Sequence, residues 1–192
     1  MKQTSLLLSL SAMLLLGGCS SKSTLYQMHP VTPQKNNTRH ITETVIGVAK
    51  VEVAQYLDTP QLITRVSQGE LKIHETRRWA GSFAQNIQHV LTEDLSEIMP
   101  RNTFLAAPWD EPITDTYRIY LTVDRFDGDA NGTVILEGRW GLVNKEEDRL
   151  VKAEKVRYIE HSDVTVESIV ATQSRLIERL SRRIAQKIKR EL

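Results

Sequence analysis

The sequence predicts an α+β domain in which a mainly antiparallel sheet is covered by two long helices and preceded by a flexible tether. Three observations carry this prediction. Several segments alternate apolar and polar residues with a period of two, turn residues join these segments as hairpins, and two long segments repeat apolar residues every three to four positions. The order along the chain is three strands, a helix, three or four strands and a second helix.

The first group of strands begins at Val45. Alternation over Val45–Val53 predicts a strand with one well-buried face. Leu62–Val66 and Leu71–Glu75 predict two further strands, and Gln68-Gly69 is expected to form the turn between them. These segments therefore supply the N-terminal part of the sheet.

A helix is expected next, from Trp79 to the residues before Pro100, because proline cannot continue a helix. Its apolar stripe consists of Trp79, Phe83, Ile87, Leu91, Leu95 and Ile98. A short strand is expected at Thr103–Ala106. These elements separate the two groups of strands.

The second group contains the clearest strand of the chain, in which apolar residues alternate over Tyr117–Val123. Val134–Leu142 predicts the next strand, and Leu150–Ile159 predicts a third. In this third strand the apolar phase slips after Ala153, which indicates a β-bulge. A hairpin is expected between the first two strands.

The last element is a helix from about Val164 to Arg190, with Asp163 as the expected N-cap. From Arg175 onward it carries seven basic and two acidic residues. The candidate basic contact face consists of Arg175, Arg179, Arg182, Arg183 and Lys187. Two interpretations stay open: a solvated face favoured by the helix dipole, or a contact with an acidic partner or anionic lipid headgroups.

The N-terminus has the pattern of a bacterial lipoprotein signal. Lys2 precedes an uncharged run, Leu6–Leu16, which is too short to span a bilayer as a helix. Gly18 then precedes Cys19, the single cysteine of the chain, and a small residue before cysteine is typical of a lipobox. We expect cleavage between Gly18 and Cys19, a diacylglycerol on the thiol and a further acyl chain, such as palmitate, on the new α-amine.

Three segments follow from this pattern: a signal peptide over 1–18, a lipidated cysteine with a flexible tether over 19–40, and a periplasmic α+β domain over 41–192. The tether is rich in small polar residues and proline. Within it, Leu25–Met28 is the stretch that is apolar enough to pack on the domain. Ser20, rather than aspartate, after the cysteine predicts sorting to the inner leaflet of the outer membrane.

Composition argues against several classes of function. The 25 basic and 24 acidic residues almost cancel, and removal of Lys2 with the signal makes the mature chain formally neutral, which argues against binding of nucleic acid by charge. A single cysteine excludes an intramolecular disulfide framework and a multi-cysteine metal site. His74, His89 and His161 lack the spacing of metal ligands and are expected at the surface. We expect no cofactor and no metal.

No catalytic constellation is recognisable, since the serines stand in no nucleophile motif and there is no phosphate-binding glycine loop, so the protein is not expected to be an enzyme. One segment, Asp127–Gly132, matches the start of a calcium-binding loop. Its twelfth position is Gly138 instead of glutamate, and Asn131-Gly132 is a strong hairpin turn. A hairpin and a calcium site are both open interpretations, with the hairpin favoured.

Four sets of residues, taken in order, resemble one family of bacterial lipoproteins. They are the lipobox Leu16–Cys19; Gln55–Arg65, with its Tyr-Leu-Asp-Thr-Pro-Gln core; Arg78-Trp79-Ala80; and a set formed by Val123–Gly128, Gly138–Trp140 and Ile184–Arg190. Together they resemble the PqiC-like lipoproteins, also called ABC-type transport auxiliary lipoproteins. The proline that this family commonly has two residues before Tyr56 is absent, and Ala54 stands there.

The resemblance implies a non-catalytic auxiliary subunit of an MCE-type intermembrane lipid transport system that supports envelope integrity. An MCE-domain periplasmic protein would be its partner, acylated Cys19 its contact with outer-membrane lipid, and a homo-oligomer is compatible with a ring-forming partner. Candidates for the docking or self-assembly surface are Tyr56, Leu57, Asp58, Pro60, Arg65 and Trp79. Leu62 and Trp79 are equally consistent with a plain core position.

One alternative has the same anchor. An outer-membrane lipoprotein that binds and regulates a cell-wall synthase would also carry an acylated cysteine and an α+β domain. Such a protein needs a tether long enough to cross the peptidoglycan layer, and about twenty residues is short for that purpose. The transport interpretation is therefore preferred.

Overall fold

The computed structural model of the protein describes residues 22–31, 44–109 and 114–191. The elements in these ranges are β1 (Thr24–Tyr26), β2 (Val45–Val48), β3 (Glu52–Val53), a 3₁₀ turn (Gln55–Leu57), β4 (Gln61–Arg65), β5 (Leu71–Trp79), α1 (Phe83–Ile98), β6 (Thr103–Ala106), β7 (Tyr117–Asp129), β8 (Thr133–Asn144), β9 (Arg149–His161) and α2 (Val166–Ile188).

Strand β7 is the centre of the sheet, and its two edges are paired differently. On one edge β8 runs antiparallel to β7, and β9 antiparallel to β8. On the other edge β2, β3 and β4 lie one after another along β7 and are all parallel to it. Further out, β5 is antiparallel to β4, and β1 is parallel to β5. Strand β6 is parallel to β2. The predicted α+β class is confirmed, and the parallel pairings were not predicted.

The hydrophobic core lies between one face of the sheet and the two helices, which also contact each other. The most deeply buried side chains come from β7, β8 and both helices, among them Ile119, Leu136, Leu142, Ile87, Leu91, Leu95, Leu176, Ile177 and Leu180. Gly128 lets α2 approach β7, since an added Cβ would come within 2.9 Å of Ile169. The first turn of α2 is thereby packed against the C-terminal end of β7.

The predicted start of the first helix at Trp79 is wrong. Trp79 ends β5, where it pairs with Tyr26 and its N–H donates to the carbonyl of Pro60 over 2.8 Å. Helix α1 begins at Phe83, and Ser82 is its N-cap. The indole still contacts the helix, because its ring lies 4.6 Å from that of Phe83, so the apolar spacing carried the prediction one turn too far.

The predicted N-cap of the last helix is also wrong. Thr165 caps α2, because its Oγ1 accepts the N–H of Ser168 over 3.2 Å. Asp163 instead uses its own N–H to donate to Ser168 Oγ over 3.1 Å. The predicted bulge in β9 is confirmed, since the pairing with β8 skips Val151. It lies two residues earlier than the apolar phase suggested.

The first predicted strand is divided. Ala49–Val51 separates β2 from β3, and the Gln88 amide of α1 donates to the carbonyls of Val48 and Ala49 at this break. The predicted Gln68-Gly69 turn joins β4 to β5.

Part of the predicted tether belongs to the domain. Thr24–Tyr26 forms β1, and Met28 is buried in the core, where its N–H and carbonyl are both bonded to the Asn86 amide. The expected packing of Leu25–Met28 is confirmed. The domain therefore starts before residue 41, because these side chains bury apolar area that a solvated tether would expose.

Candidate functional site

The lipobox, including Gly18 and Cys19, lies outside the described residues. Among the residues that the structure describes, no helix is long and apolar enough to cross a membrane.

Two of the docking candidates meet on a buried carboxylate. Tyr56, from the 3₁₀ turn, and Arg65, from the end of β4, both reach Asp127 of β7, which is 0% exposed. The pairing of β7 with β8 skips Asp124, so Val123 faces the helices while Arg125 and Asp127 face the other side of the sheet. This bulge is what turns Asp127 away from the core.

We call Tyr56, Arg65, Arg125 and Asp127 the Asp127 cluster. Arg65 holds both carboxylate oxygens, with Nε at 3.1 Å and Nη2 at 2.9 Å. Arg125 Nε donates to Oδ1 over 3.1 Å, and the Tyr56 hydroxyl donates to Oδ2 over 2.7 Å. Four donors thus saturate one carboxylate, which leaves it no free position for a ligand.

The electrostatics of the cluster follow from burial and the one negative charge. The pKa of Tyr56 is raised well above its ordinary value. Burial is the main cause, and the hydrogen bond to Asp127 is the second. The Asp127 carboxylate also raises the pKa of Arg65. Both donors therefore keep their protons throughout the physiological range, and the cluster acts as a fixed joint between β4, the 3₁₀ turn and β7.

The remaining docking candidates separate into core and surface. Leu57 and Trp79 are buried in the hydrophobic core, whereas Asp58 and Pro60 are exposed. The segment that resembles the family motif is therefore mainly structural, and its exposed tip is short.

The Asp127–Gly132 segment forms a hairpin, as favoured, in which Asp127–Asp129 ends β7 and Ala130–Gly132 makes the turn. Asp127 is committed to the cluster, and Asp129 Oδ1 accepts the N–H groups of Asn131 and Thr133 over 2.8 and 2.9 Å. Gly132 has a φ of 78°, which suits glycine. In the described ranges, no group of three His, Cys, Asp or Glu residues is placed to hold a metal ion.

The expected surface position holds for His89 and His161, which are exposed, but not fully for His74. His74 is half-buried beside Thr64, whose Oγ1 lies 3.0 Å from Nε2. Burial, together with nearby Arg77 and Lys72, lowers the pKa of His74.

The candidate basic face of α2 lies along β9, and three of its arginines are ion-paired. Arg175 pairs with Glu160 and Arg183 with Glu154, both on β9, while Arg182 pairs with Glu178 one turn away. Arg183 lowers the pKa of Glu154 through this hydrogen bond. Arg179 instead lies over the ring of Tyr158, at 4.7 Å from its centroid.

Between β9 and the C-terminal half of α2 runs an open groove of about 670 Å³, which we call the α2–β9 groove. Its lining includes four basic residues on the α2 side, Arg179, Arg182, Arg183 and Lys189, and the acidic Glu154 on β9. Lys155 and Arg157 border the groove through the β9 strand, but they pair with Arg139 and Glu137 of β8, so their side chains lie on the other face of the sheet. Lys187 is half-buried beside this lining. The sequence indicated the helix side of this groove, but β9 supplies the other wall, and only the fold brings the two together.

The comparisons with known proteins agree with this architecture. Two solved structures share the fold: a protein from Xanthomonas campestris, with a TM-score of 0.68 and 19% identity over 85% of this chain and 93% of that one, and a second crystal structure, with a TM-score of 0.72 and 19% identity over 87% and 99%.

Among curated proteins, the chain is 26% identical to the intermembrane transport lipoprotein PqiC of Escherichia coli, over 93% of this chain and 95% of that protein. The PqiC of Shigella flexneri matches equally. A profile of the ABC-type transport auxiliary lipoprotein component matches residues 26–185, from β1 to the last turns of α2. The match covers nearly all of the described domain, and the chain belongs to this family of transport auxiliary lipoproteins.

Proposed function

We propose that this chain is a non-catalytic auxiliary subunit of an MCE-type intermembrane lipid transport system, anchored to the inner leaflet of the outer membrane and facing the periplasm. Its role there would be to receive the periplasmic MCE-domain protein and so to support envelope integrity. The observation that carries the proposal is the family match over residues 26–185, joined to similarity with PqiC along nearly the full length of both chains.

Cys19 is the proposed anchor. Several acyl chains on one residue hold a protein firmly at a membrane, at about 0.8 kcal/mol for each buried CH₂. The acyl chains would also be the contact of this protein with outer-membrane lipid. Cys19→Ala is expected to abolish lipidation and to release the protein from the membrane fraction, and a variant that stays lipidated would contradict this role.

The α2–β9 groove is the proposed docking surface for the partner. Arg179 is held by a ring and not by a carboxylate, and Lys189 adds positive charge to the same groove. An acidic surface on the partner is the chemistry that such a groove accepts, with gains in association rate as well as affinity. The exposed Asp58 and Pro60 form a second, smaller candidate contact.

The alternative role, regulation of a cell-wall synthase, is less well supported. It requires a long reach from the membrane, whereas β1 starts five residues after Cys19. No feature of the described residues favours it over transport.

A photo-crosslinking amino acid at Arg179, in the lipidated chain in its native envelope, tests the proposal. Mass spectrometry of the adducts is expected to recover an MCE-domain protein. The matched control is the same substitution at Arg139, which is exposed on the opposite face of the sheet and is expected to give few adducts. Recovery of penicillin-binding proteins alone would overturn the transport role, and equal yields at both positions would overturn the groove.

A further inference from the structure

We infer that the domain lies directly on the phospholipid leaflet, with the margin formed by β1 and β5 against the headgroups. This inference rests on the proposed acylation of Cys19. It concerns where the domain sits once it is anchored, and it replaces the picture of a domain that ranges freely on a long tether.

The length of the chain sets the first limit. Cys19 is three residues from Lys22 and five from Thr24, so at about 3.5 Å per residue the link reaches at most about 10 Å to Lys22 and about 17 Å to β1, whatever its conformation. A domain of about 150 residues has a radius of gyration near ~15 Å. The link is thus shorter than the domain is wide, and the anchored margin has to stay at the membrane surface.

The second limit is that β1 is fixed to the domain. Thr24–Tyr26 pairs in parallel with Arg77–Trp79, and the N–H of Ala80 donates to the carbonyl of Tyr26 over 2.8 Å. The Tyr26 hydroxyl donates to Glu167 of α2 over 2.5 Å. Met28, two residues later, is buried in the core. The segment is therefore part of the folded domain up to the last few residues before the anchor.

The exposed side chains of this margin are compatible with the headgroup region of a phospholipid leaflet. Leu25 and Ile73 are 63% and 54% exposed, unusually high for large apolar side chains on strands. The exposed bases on these two strands and the adjoining residues, Lys22, Lys72 and Arg77, equal in number the exposed acids there, Glu70, Glu75 and Glu167. Exposed apolar side chains next to basic ones are the combination that favours an interfacial position.

The opposite margin lies far from the membrane in this arrangement. Five strand spacings separate β1 from β9, or about 24 Å at ~4.8 Å each. Helix α2 gives the same figure independently: Glu167, bonded to Tyr26, and Arg183, bonded to Glu154, are sixteen residues apart, or about 24 Å at 1.5 Å per residue. The α2–β9 groove is therefore held away from the leaflet, where a periplasmic partner has access to it.

The test places one probe at each margin of the lipidated full chain. Acylated Cys19 has no free thiol and the chain has no other cysteine, so Leu25→Cys and Leu150→Cys can each be labelled uniquely with a fluorophore. Leu150 is the matched control, because it is also exposed on a strand, 58% against 63%. In vesicles of phosphatidylethanolamine and phosphatidylglycerol that carry a headgroup-linked nitroxide, we expect at least threefold stronger quenching at Leu25→Cys than at Leu150→Cys.

Equal quenching at the two positions, or none at Leu25→Cys, would overturn the inference. Ile73→Cys provides a second probe on β5, for which quenching like that of Leu25→Cys is expected. The mass of the tryptic peptide from Cys19 to Lys22 is measured in the same preparation. An unacylated peptide would refute the anchor itself, whereas an acylated peptide without preferential quenching would refute only the position of the domain.

Discussion

The Asp127 cluster and the α2–β9 groove are built from the same residue types, yet they differ in exposure. Asp127 is 0% exposed, and its partners Arg65 and Arg125 are only 16% and 23% exposed. In the groove, Arg183 and Arg182 are 38% and 56% exposed, and Glu154 is 22% exposed. The cluster is a closed set of bonds, whereas the groove presents a surplus of positive charge to solvent.

This difference shows which charges fix the fold and which are available to a partner. Removing one member of a buried ion pair leaves an uncompensated charge and costs about 3–5 kcal/mol, whereas an exposed pair contributes about 0–1 kcal/mol. Variants in the cluster are therefore expected to change stability, and variants in the groove to change binding.

The largest effect is expected for Asp127→Asn. The substitution removes the negative charge that two arginines and a tyrosine share, so we expect the free energy of unfolding to fall by about 3 kcal/mol in urea titrations. Asp124→Asn is the control, since Asp124 and its partner Arg139 are 53% and 56% exposed, and about 0.5 kcal/mol or less is expected there. Similar losses for the two variants would remove the distinction between buried and exposed charge.

A smaller loss, about 1.5 kcal/mol, is expected for Tyr56→Phe, which deletes one hydrogen bond to a charged acceptor and keeps the ring. Urea titration at neutral pH measures it. Tyr120→Phe is the control, because Tyr120 is exposed and little change is expected. A variant as stable as the wild type would mean that the arginines alone satisfy Asp127.

The same tyrosine predicts a dependence on alkaline pH. Because the pKa of Tyr56 is raised in the folded state, the unfolded chain loses this proton first, near its ordinary pKa of about 10. The contribution of Tyr56 is therefore complete below pH 10 and is lost as the pH rises above it. Urea titrations between pH 8 and 11 are expected to show a steeper loss for the wild type than for Tyr56→Phe, and parallel curves would contradict this assignment.

The smallest effect on stability is expected in the groove. Arg179→Glu replaces an exposed side chain that stacks on Tyr158, so a change of at most about 1 kcal/mol is expected. Association with the MCE-domain protein is expected to fall at least tenfold, as measured with purified lipidated protein. Arg139→Glu, on the other face of the sheet, is expected to leave association unchanged, and an equal loss there would point to general charge and not to the groove.

How far the sequence led depends on whether a feature is local. The apolar residues of each helix and strand recur within a short run of neighbouring residues, so their periodicity was sufficient to predict these elements. The hairpins were predicted from the turn residues between neighbouring strands. The end-to-end placement of β2, β3 and β4 along β7 depends on pairings between distant segments, for which a single sequence carries no register. The parallel pairing of β1 with β5 was missed for the same reason.

The Asp127 cluster shows the same limit in the site. Arg65 and Asp127 are 62 residues apart, and no local pattern joins them. One signal was nevertheless present in the sequence: apolar residues occupy odd positions up to Val123 and then Phe126, so the phase of β7 shifts before Asp127. Such a shift predicts a bulge and a carboxylate turned to the other face, although not its partners.

The open edge of β9 affects how readily the protein aggregates during export, before it meets any partner. In the part of the chain that the structure describes, β9 pairs only with β8 and leaves a thirteen-residue edge open. An open edge invites aggregation with other copies during export, and charged side chains, lysine above all, discourage it. Arg149, Lys152, Lys155 and Arg157 supply such charges along the edge. Two copies would repel each other there, while an acidic segment would not, so the charges that protect solubility would also suit the acidic partner proposed for the groove.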